Sequence, residues 1–188
     1  MKTSLLTFVF LITSILLLTL PSHSQEKTEY VCYPCGGGCD KVIHHSNGIC
    51  SECEMTLIEK SKVIFKNIDT PEFLSKLENE KRFILLDVRS AEEFNGNGKG
   101  QRSLHGYKHL INAVNLSSDI LEENIGEIMK YKDSEVIVYC SHSRRSPFCS
   151  QILTDAGFIN VTNYSGGIAE FVEEYLINSN SGKDFIVK

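Results

Sequence analysis

Seven cysteines carry most of the chemistry open to this 188-residue chain, and their spacing sorts them into two groups. Cys140 heads the run Cys140-Ser141-His142-Ser143-Arg144-Arg145-Ser146. A thiol in a loop that feeds a helix meets backbone N–H groups and the positive end of the helix dipole, and both favour an anion. Arg144 and Arg145 add formal positive charge. Together these influences lower a free thiol pKa of about 8.5 into the ~3.5–7.5 range, where the nucleophilic thiolate dominates. The same cradle suits a persulfide or an oxyanion. A buried structural cysteine would account for the position but not for the arginines and hydroxyls around it. Cys140 is therefore the catalytic candidate, with Ser141, His142, Ser143, Arg144, Arg145 and Ser146 as the loop residues that could contact a substrate.

The second group lies near the N-terminus. Cys32-Tyr33-Pro34-Cys35 and Cys50-Ser51-Glu52-Cys53 are two Cys-x2-Cys pairs with fourteen residues between them. Two such turns can set four thiolates tetrahedrally around Zn²⁺. Gly36 suits the tight knuckle of the first pair. Cys39 is a fifth thiol that could replace one of the four ligands, as could His44 or His45. So short a segment buries too little apolar surface to fold alone, and metal would supply the missing free energy. Disulfides compete with metal if the chain is exported, but they would use four of these five cysteines and strand one. The paired spacing favours metal. Thiolates suit Zn²⁺ and other thiophilic ions such as copper, and no organic cofactor is called for.

The elements that must position these residues are legible in outline. Val63-Ile64-Phe65 reads as a short strand, and Thr70-Pro71 as an N-cap with proline at N1, opening an amphipathic helix through Leu74 and Leu77. Phe83 to Leu86 is the continuous apolar run of a strand covered on both faces. Ser90-Ala91-Glu92-Glu93 follows it with capping-box character. Ala113 to Leu116 is a brief strand, with a helix expected from about Ser118 to Tyr131. Val136 to Tyr139 is the cleanest buried strand and runs straight into Cys140. A helix from Ser146 to Asp155 ends at Gly157, Asn160 to Tyr164 is a strand, and Gly167 to Ile177 is the last helix. Strands alternating with helices predict an α/β fold, a mainly parallel five-stranded sheet with helices on both faces. Sites on such sheets form at the carboxyl ends of the strands.

Residues 1–24 stand apart: Lys2, an apolar run from Leu5 to Leu20, then Pro21-Ser22-His23-Ser24. That layout predicts a secretory signal peptide cut after Ser24, with an uncleaved anchor as the alternative. Residues 25–60 form the Cys-rich segment and 61–188 the α/β domain. A net charge of −5 gives no reason to expect nucleic acid as a partner.

From about Val63 to Leu176 the chain resembles the rhodanese homology domain. The likeness runs through Leu86-Asp87-Val88-Arg89, Glu93-Phe94, His109 and Ala113-Val114-Asn115-Leu116. It continues through Val138-Tyr139-Cys140, Arg145-Ser146 and Tyr164-Ser165-Gly166-Gly167. The resemblance implies that Cys140 takes a sulfane sulfur, holds it as a persulfide and passes it to a thiophilic acceptor. It also implies that Arg145 shapes the loop and binds anions, and that Asp87 and Arg89 are mainly structural, with Arg89 near enough to the pocket to count as a substrate-binding candidate. Cysteine phosphatases on a similar fold use Cys-x5-Arg; here Arg145 is the fifth residue after Cys140 and Ser146 the sixth. The shorter ring favours sulfur over phosphate. Ser143 and Asn112 stand where relatives carry Gly, and the loop Asn95 to Gly106, with Lys99, Arg102 and His105, is longer than the family's. Cys149 reads as core or as a disulfide partner for Cys140. The Cys-rich segment resembles a small heavy-metal-binding domain, through Tyr30-Val31-Cys32-Tyr33-Pro34-Cys35 and Gly48 to Leu57, with Glu54 replacing a Gly.

The expectation is thus a periplasmic or secreted sulfurtransferase with a small-molecule sulfur donor and a thiophilic acceptor. The metal ribbon would stabilise the chain or dock a protein partner, and no membrane contact is expected once the signal is removed. The competing expectation is a non-catalytic module that binds metal and senses sulfur.

Overall fold

The computed structural model describes residues 27–79, 82–98, 104–178 and 183–188. The expected signal peptide, and Lys99 and Arg102 of the long loop, lie outside the described residues. Two sheets organise the chain. Strands β1 (Tyr30–Val31) and β2 (Ile58–Glu59) pair antiparallel and close the Cys-rich segment, with Val31 opposite Ile58. The main sheet holds β3 (Lys66–Ile68), β4 (Phe83–Asp87), β5 (Val114–Asn115), β6 (Glu135–Tyr139) and β7 (Asn160–Tyr164). Its order is β3-β7-β6-β4-β5 and its pairings are parallel.

The helices α1 (Thr70–Asn79), α2 (Ala91–Phe94), α3 (Ser146–Asp155) and α4 (Gly167–Glu170) connect or follow these strands, and α4 runs on in wider turns over Phe171–Asn178. Successive side chains of a strand point to opposite faces, so each central strand feeds two cores. Leu86, Val136 and Val138 pack with Cys149 and Leu153 of α3. Leu85, Ile137 and Tyr139 pack with Phe73 of α1 and with Ile168 and Phe171. Phe73 stacks on Tyr164 with ring centroids 4.1 Å apart, tying α1 to β7.

The sequence places the central elements correctly and the marginal ones less so. The first strand falls at Lys66–Ile68 rather than Val63 to Phe65, whose Val63 and Phe65 pack into a core instead. The stretch from Ser118 to Tyr131 is not an α-helix; it winds through turns and two short 3₁₀ segments, Ile125–Glu127 and Met129–Tyr131. Thr70 is not the cap of α1. Asp69 Oδ1 accepts from the Glu72 N–H at 3.0 Å, and the Thr70 hydroxyl turns inward to Tyr164 and Glu170. The capping box at Ser90 and Glu93 forms as expected. So does the left-handed turn at Gly157, φ +87°.

Beyond β4, Arg89 is fully buried, and its guanidinium clasps Asp87 through Nε at 2.9 Å and Nη2 at 2.6 Å. Nη2 also donates to the Lys108 carbonyl at 2.8 Å. Arg89, expected as a candidate substrate contact, is enclosed in the domain, with Nε and Nη2 directed to Asp87 and the Lys108 carbonyl. Such a pair contributes little relative to apolar residues, but breaking one side strands a buried charge. Arg89→Met should therefore destabilise the domain by about 3–5 kcal/mol, read as a lower urea midpoint, and Asp87→Asn in the same chain should recover part of the loss.

Candidate active site and thiol cluster

Strand β6 ends at Tyr139 and delivers Cys140 into a loop that closes at Arg145, where α3 begins. The thiol is almost wholly enclosed. Burial, the largest influence on it, pushes its pKa up; the Ser146 hydroxyl and the N–H groups of Ser146, Arg145 and His142 more than offset this, so the thiol ends below its ordinary value. Ser146 Oγ donates to Cys140 Sγ at 3.5 Å. The lowering influences come from the loop and the start of α3, where N–H groups favour an anion.

The loop is pinned from three sides. On the first, Glu93 of α2 takes Arg145 in a two-pronged grip, Nη1 to Oε2 at 2.6 Å and Nη2 to Oε1 at 2.9 Å. Ser141 Oγ donates to the same carboxylate at 3.2 Å. The bonds from Arg145 hold the Glu93 carboxyl down at about 2 despite its partial burial. On the second, Asn163 of β7 is buried, and its Nδ2 donates to Ser143 Oγ at 3.1 Å. On the third, the start of α4 gathers the loop's carbonyls: Ile168 N–H reaches Cys140 at 2.9 Å and Ala169 N–H reaches Ser141 at 3.2 Å. Gly167 has φ +64°, and a Cβ there would lie 2.4 Å from the Ser141 oxygen, so only glycine fits.

Ser143 has φ +52°, the left-handed region suited to the glycine it replaces; Asn112 (φ +59°) and Glu54 (φ +62°) occupy the same region. His142 is exposed and borders an open pocket with Ser165, Gly166 and Glu170. Arg144 is exposed, and its Nη2 donates to the Cys53 carbonyl at 3.0 Å. Cys149 is buried on α3; burial and the Cys140 charge push its thiol up to about 12, which makes it a core residue rather than a ready nucleophile. Glu93 and Asn163 are site residues that sequence reasoning missed. Glu93 was visible as a helix-capping residue and as part of the family likeness, but not as a partner of Arg145, and nothing local marks Asn163.

In the Cys-rich segment, Sγ atoms of Cys32, Cys39, Cys50 and Cys53 all lie within 4.8 Å of one another. Of the ligand sets expected, this grouping is the one in which Cys39 stands in for Cys35 beside Cys32, Cys50 and Cys53. The 3₁₀ turn Gly38–Lys41 carries Cys39 inward. Cys35 sits beside Asp40, which accepts from the N–H groups of Cys35 and Gly36 at 2.9 and 2.7 Å. Cys35, Cys39 and Asp40 form a second, adjoining group, whereas neither His44 nor His45 joins a ligand group among the described residues. Cys32 Sγ and Cys53 Sγ stand 3.7 Å apart. A disulfide needs ~2.05 Å, whereas zinc–thiolate bonds of ~2.3 Å in a tetrahedron put neighbouring sulfurs about 3.7–3.8 Å apart. The donor set therefore fits a thiophilic ion. Burial first, then its neighbours, pushes Cys39 up to about 12, while bonds from Cys32 and nearby N–H groups bring Cys50 down to about 7.

A family model described as a rhodanese-like domain matches residues 70–174. A mitochondrial protein of Schizosaccharomyces pombe, provisionally named a thiosulfate sulfurtransferase, is 29% identical over 126 residues, 64% of this chain and 89% of that one. The uncharacterized protein YibN of Escherichia coli is 30% identical over 122 residues, 64% of this chain and 74% of that one. Among solved structures, a human single-domain sulfurtransferase, TSTD1, aligns with a TM-score of 0.45 at 23% identity, over 57% of this chain and 96% of its own.

The Glu93–Arg145 grip makes loop stability depend on pH. The Glu93 pKa of about 2 in the folded chain lies below the ordinary carboxylate value of ~4.3. Its contribution is therefore complete above ~4.3 and is lost as pH falls through about 2. Glu93→Gln should lower the urea midpoint at neutral pH, and the gap to wild type should close as acid is added; a gap independent of pH would contradict this assignment.

Proposed function

Because the chain belongs to the rhodanese-like domain family, we propose that it is an exported sulfurtransferase carrying sulfane sulfur on Cys140. The observation that supports this best is the ring of N–H donors from His142, Arg145 and Ser146 that favours the Cys140 thiolate. With thiosulfate as donor, the thiolate attacks the sulfane sulfur. A Cys140 S–S bond forms, the donor's S–S bond breaks, and its electron pair leaves with sulfite. A thiophilic acceptor such as cyanide then attacks the outer sulfur, and Cys140 departs as thiolate, so no outside oxidant or reductant is needed. The loop N–H groups stabilise negative charge on sulfur in both half-reactions. Arg145, held in line by Glu93, supplies positive charge at the loop's end, and exposed His142 lies where a donor or acceptor would approach.

Export rests on the layout of residues 1–24. Within the described residues no helix is long and apolar enough to cross a membrane. The Cys32, Cys39, Cys50 and Cys53 set would hold Zn²⁺ or another thiophilic cation. Four protein ligands leave no open position, so the ion would hold the segment together rather than act on substrate.

Two measurements test these assignments. Thiosulfate treatment should add about 32 Da, one sulfur, to Cys140, and thiocyanate release should be abolished in Cys140→Ser; a wild type with neither property is no sulfurtransferase. Native mass spectrometry should find one zinc bound in wild type and in Cys35→Ser, and little in Cys39→Ser. Zinc lost in Cys35→Ser but retained in Cys39→Ser would restore the set of Cys32, Cys35, Cys50 and Cys53.

A further inference from the structure

The Cys-rich segment is tied to the sulfur-carrying loop through both of its knuckles, directly through the second and by way of Asn163 through the first. In the second, the Cys53 carbonyl accepts from Arg144 at 3.0 Å. In the first, the Pro34 carbonyl accepts from Asn163 Nδ2 at 3.3 Å, the same amide nitrogen that holds Ser143 Oγ at 3.1 Å. Tyr33 lies edge-on to Phe148 in the first turn of α3, ring centroids 5.8 Å apart. Gly36 comes so near Ser165 that a Cβ added there would lie 2.8 Å from the serine's.

These contacts converge on the middle of the loop. Ser143 and Arg144 lie between the sulfur carrier Cys140 and the arginine that Glu93 grips. Ser143 is held in a left-handed conformation, φ +52°, which a non-glycine residue keeps only while its surroundings fix it. Among those surroundings are the Asn163 amide and, sharing its nitrogen, the Asn67 side-chain oxygen at 2.5 Å and the Pro34 carbonyl at 3.3 Å. The four clustered thiols span both knuckles: Cys32 belongs to the first, Cys50 and Cys53 to the second, and Cys39 to the turn between them. Drawing those thiols onto one ion fixes the spacing of the Pro34 and Cys53 carbonyls, and with it the platform on which Ser143 and Arg144 rest.

We infer that the Cys-rich segment is a metal-responsive regulator of this chain's own active site, in which a thiophilic cation bound by Cys32, Cys39, Cys50 and Cys53 sets the conformation of the sulfur-carrying loop through Arg144, Asn163 and Tyr33. The inference rests on the metal assignment above. Metal is here a ligand with a signal to deliver as well as a brace: the loop acquires its transfer-ready shape when the cation is available and relaxes when it is withdrawn. Coupling requires two sites and one element whose state both influence; the element is the stretch from His142 to Arg145.

The test uses the full mature chain, zinc-loaded or stripped by a chelator, and reads peptide-resolved hydrogen exchange alongside zinc stoichiometry and thiocyanate release. Amides of the peptide spanning 142–146 should exchange about fivefold or more faster in the stripped protein, those of β4 should not change, and added Zn²⁺ should reverse the effect. In Tyr33→Ala/Arg144→Ala the zinc stoichiometry should remain that of wild type, while exchange over 142–146 becomes the same with and without metal. Zinc bound with no difference over 142–146 would overturn the coupling and leave the metal site standing. A protein that binds no zinc would remove both. Equal loss of protection in β4 would overturn a local coupling, because the metal would then hold the whole fold.

Discussion

The two-pronged grip of Glu93 on Arg145 is the constraint on which the rest of the site depends. It joins the first turn after β4 to the last residue of the catalytic loop, across the sheet edge where both strands end. A planar guanidinium meeting a carboxylate with two bonds fixes direction as well as distance. With Arg145 held, the N–H groups that follow it have one orientation, and the Cys140 sulfur lies at their focus. Ser141, bonded to the same carboxylate, fixes the other end of the loop. A single side chain thus defines a ring of residues that contains no regular structure.

A second ion pair, Asp87 with Arg89, has a different task. It is buried and directed inward, joining the end of β4 to the Lys108 carbonyl, and Asn115 of β5 donates to the Asp87 and Arg89 carbonyls from the adjacent strand. One pair shapes the scaffold and the other shapes the site, and they lie only a few residues apart in one motif. The parallel order β7-β6-β4 makes this economical. Neighbouring strands end on the same edge, so Glu93, Cys140 and Asn163 meet although they come from distant parts of the sequence.

The central strands were legible because they are covered on both faces and read as unbroken apolar runs. The Cys140 thiol was legible as a candidate because its loop concentrates arginines and hydroxyls directly after such a strand. What sequence could not supply was direction. Arg144 and Arg145 look equivalent as neighbours, yet one is gripped by Glu93 and the other reaches the Cys53 carbonyl. Asn163 carries no local signal, since its role arises only when β7 lies beside β6. The choice between Cys35 and Cys39 turned on one 3₁₀ turn, which spacing alone does not reveal. The stretch after Ser118 has the composition of a helix, but tertiary contacts override so short a preference.

The position of the Cys-rich segment in the chain has a consequence for how the molecule is made. Its contacts with the Cys140 loop and with β7 are very non-local: 91 residues separate Cys53 from Arg144, and 129 separate Pro34 from Asn163. A ribosome therefore produces the segment first, while the surface that receives it exists only after β7 has been added to the sheet. Contacts closed over such spans form slowly, because loop-closure entropy must be met before any contact compensates for it. Docking of this segment has to wait for the sheet that receives it, and a nascent chain carries it undocked until β7 is in place.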